Sequence, residues 1–316
     1  MTPFSEQRTL ARSVQCSGVG LHSGKPVEMV IHPAPINHGI KFFRTDLPNA
    51  PGISAHFNRV VDTSQATVIG TDGFIVSTIE HLMAAFAGLC IDNARVELTD
   101  YEVPVMDGSA GPFARLMRSS GIVAQPGPRC YFVVKAPIEL KENGKSVAVY
   151  PADTQMITCS IDYDHPVIGR QSRTVVLANG AFEKEIADAR TFGLFQDLEY
   201  MKHYGLAKGG SLDNAVLVAS DGIVNPEGLR FADEFVRHKI LDCIGDFSLL
   251  GMPILGHIVA EKSGHAFNHM FLNRFFVSKE AWETRTIQLS RPGRILSPTP
   301  SRPWSQADKT AALPRA

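Results

Sequence analysis

The stretch HKILDCIGD, residues 238–246, carries polar groups at the spacing of one helical turn. His238, Asp242 and Asp246 are each four residues apart, and an α-helix brings residues at that spacing to one face. An imidazole and a carboxylate one turn apart can bind the same cation; the alternative is an amphipathic helix whose polar face lies in water. One His–Asp pair leaves a cation short of ligands, so a metal site here requires a partner from elsewhere in the chain.

A second predicted helix, in STIEHLMAAFAGLCIDN (77–93), carries the candidate partner. Beyond its start, its polar side chains are Glu80 and His81, and the rest of that face is small, so we expect another element to pack closely there. Buried ionisable groups are unfavourable unless they are paired or bind a metal. His81, His238 and Asp242 together make a set that suits catalytic zinc and also non-haem iron, with Glu80 beside it to take a proton from water. The alternative is an internal Glu–His pair without metal.

The composition is that of an ordinary globular protein. The 316 residues are 44% hydrophobic and 20% charged, and the net charge of −1 gives no support for a nucleic-acid partner. No apolar run approaches the roughly 20 residues of a transmembrane helix, and the N-terminus lacks the apolar core of a secretory signal. The five cysteines contain no CxxC pair, which is typical of reduced thiols. We expect a cytoplasmic monomer without a transmembrane segment.

A Pro- and Gly-rich stretch, AQPGPRC at 124–130, is the best linker candidate, because its residues disfavour regular structure. We predict α+β domains at 1–125 and 130–280, followed by a Pro-rich, disordered tail at 281–316. The first domain is predicted to hold a helix at 78–89 and a strand at 94–98. The second is predicted to hold strands at 130–140, 146–151, 215–219 and 256–261 and helices at 233–251 and 266–278.

Longer motifs occur in order along the chain: the 77–93 stretch, PVMDGSAGPF (104–113), ARTFG (189–193), KGGSLDNAVLV (208–218), GLRFADEFVRHKILDCIGD (228–246) and SGHAFN (263–268). Together they resemble the UDP-3-O-acyl-N-acetylglucosamine deacetylase family, zinc amidases of lipid A biosynthesis in Gram-negative bacteria. The resemblance covers roughly residues 5 to 278. It implies an α+β fold of two similar domains, each a β-sheet layered on α-helices. The helical layers would face each other, with the active site between them.

The resemblance also implies roles for particular residues. These are the metal ligands His81, His238 and Asp242, the general base Glu80, the oxyanion-stabilising acid His265, its supporting carboxylate Asp246, the oxyanion-side hydroxyl of Thr191, and the substrate contacts Phe192 and Lys239. The segment DTSQAT, residues 62–67, corresponds to a stretch near the acyl site.

His265 follows Ser263 and Gly264 and is placed to open a helix, where the helix dipole disfavours a charged imidazole. A carboxylate close to it would favour the charged form that an acid needs. Asp246, one turn beyond Asp242, is the natural candidate.

The implied reaction is hydrolysis of the N-acetyl group of UDP-3-O-acyl-N-acetylglucosamine, which releases acetate and UDP-3-O-acyl-glucosamine. The implied cofactor is Zn²⁺, with Fe²⁺ compatible with the same ligands. One alternative is a metal-dependent amidohydrolase that acts on a different amide. The other is a non-catalytic protein in which the Glu–His and His–Asp pairs are purely structural.

Overall fold

The computed structural model describes residues 4–286, in which helices and strands follow each other without a regular βαβ order. The predicted α+β class is confirmed. The α-helices are α1 (Glu80–Gly88), α2 (Gly111–Ser120), α3 (Leu198–His203), α4 (Glu234–Ser248) and α5 (His265–Val277). Short 3-10 turns lie at Phe57–Arg59, Phe195–Asp197 and Lys279–Ala281, and a π-helical turn at Phe182–Ile186.

The N-terminal part of the chain is built on a mixed sheet. Its strands are β1 (Glu6–Leu10), β2 (Val14–Val19), β3 (Pro26–Pro33), β4 (Ile40–Arg44), β5 (Ile53–Ser54), β6 (Val60–Asp62), β7 (Val68–Thr71), β8 (Phe74–Val76), β9 (Ala94–Leu98) and β10 (Ile122–Pro128). The main sheet has the order β2-β3-β9-β4-β5, with β4 parallel to β9. Strands β6, β7 and β8 form a smaller antiparallel sheet, and β1 pairs with β10.

The C-terminal part is built on a second mixed sheet. Its strands are β11 (Cys130–Val134), β12 (Ile138–Glu142), β13 (Lys145–Tyr150), β14 (Gln155–Asp162), β15 (Arg170–Val176), β16 (Phe192–Leu194), β17 (Val216–Ala219), β18 (Gly222–Ile223), β19 (Ile254–Glu261) and β20 (Trp282–Thr286). The main sheet has the order β12-β13-β19-β11-β20, and β14 joins it by pairing with β19 and β15. Strands β16, β17 and β18 form a separate small sheet.

Helices lie between the two main sheets, as the resemblance implied. Helix α2 contacts β2, α4 contacts β14 and β15, and α5 contacts β12 and β13. Helices α1 and α4 pack against each other, and α4 also packs on α5. One continuous apolar core extends through both parts of the chain. The limits 1–125 and 130–280 stay predictions.

Two segments differ from the local structure that the sequence predicted. The expected linker at 124–130 lies largely in β10, which pairs antiparallel with β1. The prolines are tolerated because this is a two-stranded edge pairing, and its register shifts between Glu6 and Arg8. The expected tail at 281–316 begins with β20, which pairs with β11. The remainder of that tail, 287–316, lies outside the described residues.

The predicted strand at 130–140 is instead the two strands β11 and β12. Pro137 lies between them and cannot donate a ladder hydrogen bond. Within residues 4–286, no helix is both long and apolar enough to cross a membrane.

Other elements pack closely on α1, as the small face in its sequence predicts. A Cβ atom built on Gly245 of α4 would lie 2.0 Å from the carbonyl oxygen of Glu80 in α1. A Cβ atom built on Gly88, at the other end of α1, would lie 2.2 Å from the ring of Phe182. The two helices therefore meet backbone to backbone at the first turn of α1.

We predict that Gly245→Ala destabilises the protein. Alanine is favoured in a helix by about 1 kcal/mol, but overpacking of a tight contact costs about 1–3 kcal/mol, and a backbone carbonyl cannot rotate out of the way. We expect the free energy of unfolding to fall by about 2 kcal/mol, the larger overpacking cost less the gain in helix propensity. The fall is measured as a lower urea midpoint at constant m value.

Gly222→Ala is the matched control for this prediction. It adds the same methyl group where no atom lies within 4 Å of the new Cβ. An unchanged midpoint for Gly245→Ala would contradict the close helix contact.

Candidate functional site

Three possible metal ligands meet where α1 crosses α4. The first turn of α1 supplies His81, and the middle of α4 supplies His238 and Asp242. One ligand atom from each residue lies within 4.8 Å of the others, and all three residues are buried. Asp242 Oδ1 lies 3.3 Å from His238 Nε2 and 3.6 Å from His81 Nε2. The three predicted ligands are thus brought to one point.

The hydrogen bonds around this cluster suit a divalent cation. The buried Asp242 Oδ1 faces the two imidazoles and has no hydrogen-bond partner among the described residues. His238 Nδ1 lies 3.0 Å from the carbonyl oxygen of Ala189, so this nitrogen carries the proton and Nε2 keeps its lone pair. An unpaired buried oxygen next to such a lone pair is unfavourable unless a cation lies between them.

The protonation states also suit a cation. Burial lowers the pKa of His238 to about 3, so the ring is neutral, as a metal ligand must be. Burial alone would raise the pKa of Asp242, but charged neighbours, Lys239 among them, outweigh burial and hold that pKa well below its usual range. Lys239 Nζ donates to Asp242 Oδ2 at 2.9 Å, which leaves Oδ1 for the cluster.

A second cluster adjoins the first and contains the predicted base and acid. His265, the first residue of α5, has its Nε2 3.7 Å from Glu80 Oε1 and its Nδ1 2.9 Å from Asp246 Oδ2. Burial lowers the pKa of His265, but the carboxylates of Asp246 and Glu80 outweigh it and raise that pKa to about 10. Burial raises the pKa of Glu80. The arrangement pairs a charged imidazole with a carboxyl group of increased basicity.

Thr67 and Asn268 complete this second cluster, and the sequence did not reveal their part in it. The Thr67 hydroxyl donates to Asp246 Oδ1 at 2.6 Å, and its backbone N–H donates to Glu80 Oε2 at 3.1 Å. Asn268 Nδ2 donates to Asp246 Oδ2 at 2.8 Å. Asn268 lies three residues after His265 on α5, a spacing that could have indicated its position.

The chain segment before β16 supports the metal cluster from the other side. Ala189 accepts the hydrogen bond from His238, and the next residue, Arg190, is 2% exposed. The Arg190 backbone N–H and its Nε both donate to Glu234 Oε1, at 3.0 and 2.9 Å. Glu234 lies one turn before His238 on α4. The i, i+4 spacing of Glu234 and His238 could have indicated that Glu234 lies on the same face of α4 as His238.

Two of the remaining predicted residues, Phe192 and Lys239, lie beside the metal cluster, and Thr191 directly precedes Phe192. Thr191 donates its backbone N–H to Gly108 O at 2.8 Å, which ties it to the PVMDGSAGPF motif. The Phe192 ring lies 6.3 Å from the His238 ring, centroid to centroid. Lys239 Nζ lies 5.7 Å from the centroid of the Phe192 ring. The roles of these side chains stay predictions.

Comparison with known proteins agrees with this arrangement. Residues 7–277 match the family model described as UDP-3-O-acyl N-acetylglycosamine deacetylase. The UDP-3-O-acyl-N-acetylglucosamine deacetylase of Myxococcus xanthus is 49% identical over 284 residues, which cover 90% of each chain. The proteins of the same name from Syntrophotalea carbinolica and Chromohalobacter salexigens are 47% and 46% identical, over 88% and 89% of this chain and 90% and 94% of their own. The chain belongs to the UDP-3-O-acyl N-acetylglycosamine deacetylase family.

Proposed function

We propose that this chain hydrolyses the N-acetyl group of UDP-3-O-acyl-N-acetylglucosamine and so releases acetate and UDP-3-O-acyl-glucosamine for lipid A biosynthesis. Family membership supports the substrate and the reaction. The observation that carries the chemistry is that Glu80 links the two clusters: it is next to His81 in the sequence, and its Oε1 lies 3.7 Å from Nε2 of His265. Amide hydrolysis needs a base for water and an acid for the leaving nitrogen, and both lie beside the metal ligands.

His81, His238 and Asp242 would hold the metal, for which we propose Zn²⁺, with Fe²⁺ as the other ion that suits the ligands. When bound, the metal lowers the pKa of a water ligand to about 7 and polarises the acetyl carbonyl. Lys239 offsets the charge of Asp242 and keeps its second oxygen away from the metal. The hydrogen bond from His238 to Ala189 holds the ring in the ligating orientation.

Glu80 takes the proton from the attacking water. The Thr67 N–H fixes one of its oxygens, so the other is free to face the reacting centre. Burial makes its carboxylate more basic, as proton abstraction requires. As water adds to the carbonyl carbon, the carbonyl oxygen becomes negatively charged, and the Thr191 hydroxyl and the charged His265 stabilise it.

His265 then gives its proton to the sugar nitrogen while the C–N bond breaks. An amine leaves poorly without a proton, and the raised pKa of His265 keeps the imidazole charged at neutral pH. Phe192 and Lys239 contact the substrate beside the metal ligands. We propose a monomer, since all of these groups come from one chain and one copy would hold the complete site. Free cysteines such as Cys159 and Cys243 suit the reducing cytoplasm. Light scattering on the purified protein would test the monomer.

The first prediction concerns the metal. Purified protein should deacetylate UDP-3-O-acyl-N-acetylglucosamine, lose that activity on chelation and recover it with Zn²⁺. His238→Ala should lose both bound metal and activity, because it removes a ligand, whereas the loop variant His38→Ala should keep both. Metal content and acetate release are measured on the same samples. Protein that binds metal but hydrolyses only a different amide would favour the alternative amidohydrolase.

A second prediction separates the base from the ligands. Glu80→Gln should keep the metal and lower kcat by about 10²–10⁴, because the amide cannot accept a proton from water. The exposed Glu28→Gln serves as the control for a lost carboxylate. Full activity of Glu80→Gln at normal metal content would exclude Glu80 as the base.

The third prediction concerns the acid. Asp246→Ala should lower kcat, leave the metal content intact and move the alkaline limb of the pH–rate profile to lower pH. The direction of this shift follows from the role of His265. Its protonated form is the active one, so activity is lost as pH rises through the pKa of His265. Asp246 raises the pKa of His265, so without Asp246 the activity is lost at a lower pH. The surface variant Asp162→Ala should leave the profile unchanged. Metal loss in Asp246→Ala would contradict the separation of the two clusters.

A further inference from the structure

We propose that Thr67 is a positioning residue that holds the acid and the base of this site in one hydrogen-bonded unit. The inference rests on the proposed function for the roles of His265 and Glu80. Thr67 immediately precedes β7 and is 2% exposed. It is 179 residues from Asp246 in the chain, yet its hydroxyl lies 2.6 Å from that carboxylate.

All the polar groups of Thr67 are used within the site. Its N–H donates to the carboxylate of Glu80, and its carbonyl accepts from the N–H of Ile79, just before α1, at 3.3 Å. Its hydroxyl donates to Asp246 in α4. The residue therefore connects the start of α1, which carries the base, to the carboxylate that orients the acid.

The hydroxyl determines the orientation of Asp246. Oδ2 of this carboxylate is occupied by His265 Nδ1 at 2.9 Å and Asn268 Nδ2 at 2.8 Å. The donor to Oδ1 is the Thr67 hydroxyl. Donors on both oxygens prevent the carboxylate from rotating, so the ring of His265 is held with Nε2 towards Glu80. Without the hydroxyl, a buried oxygen would lose its donor and the carboxylate would be free to turn.

The site offers a matched pair of variants. Thr67→Val has nearly the shape of threonine and keeps the backbone N–H to Glu80, so it removes the hydroxyl alone. Thr67→Ser keeps the hydroxyl and removes the methyl group.

The kinetic test compares these variants at equal metal content. A hydrogen bond to a charged group is lost in Thr67→Val, and we expect kcat to fall about ten- to a hundredfold with KM within about twofold. Thr67→Ser should restore kcat to within about threefold of the parent protein. In an Asp246→Ala background, Thr67→Val should cause no further fall, because the carboxylate that the hydroxyl positions is already absent. An equal additional fall in both backgrounds would overturn the inference.

A second readout does not depend on activity. In protein labelled with ¹⁵N-histidine, the Nδ1 proton of His265, identified by its loss in His265→Gln, should exchange with water at least about tenfold faster in Thr67→Val than in Thr67→Ser. Equal exchange would overturn the positioning role even if deacetylation is confirmed. If the parent protein fails to deacetylate the substrate but the exchange rates differ, the proposed function fails and the positioning role of Thr67 stands.

Discussion

The site depends on how closely α1 and α4 approach each other. His81 comes from one helix and His238 and Asp242 from the other, so the separation of the helices sets the distances between the ligand atoms. Gly245 allows the carbonyl of Glu80 to lie against the α4 backbone. Any side chain there would move the first turn of α1 outward, and with it Glu80 and His81, the proposed base and metal ligand. A stability requirement and a catalytic requirement thus coincide at one glycine.

Charge compensation is the second constraint on this interface. Ionised groups buried in a low-dielectric interior are tolerated when each has a partner with good geometry. Lys239 pairs with Asp242, His265 pairs with Asp246, and Arg190 pairs with Glu234. Against this background, Asp242 Oδ1 is a buried carboxylate oxygen without a hydrogen-bond partner among the described residues, and it faces the point where we propose that the metal binds.

The sequence was sufficient for the parts of the site that local periodicity encodes. The four-residue spacing in α4 and the small face of α1 indicated the ligands, and the Ser-Gly before His265 indicated the start of α5. It was insufficient where a contact joins distant segments. Thr67 meets Asp246 across 179 residues, and β10 is a strand because β1, more than 100 residues earlier, pairs with it. Periodicity within a segment carries no information on such partners.

The segment before β16 combines local spacing on a helix with contacts between distant segments of the chain. Ala189 and Arg190 are consecutive, and they bond to His238 and Glu234, which are one turn apart on α4. Two bonds at that spacing fix the register of the segment along the helix, because a shift by one residue would break both. Thr191 follows directly, so its position relative to His238 is set by the same two bonds. The proposed metal ligand His238 and the hydroxyl proposed to stabilise the oxyanion are therefore held in one frame, whose rigidity comes from the buried Arg190–Glu234 pair.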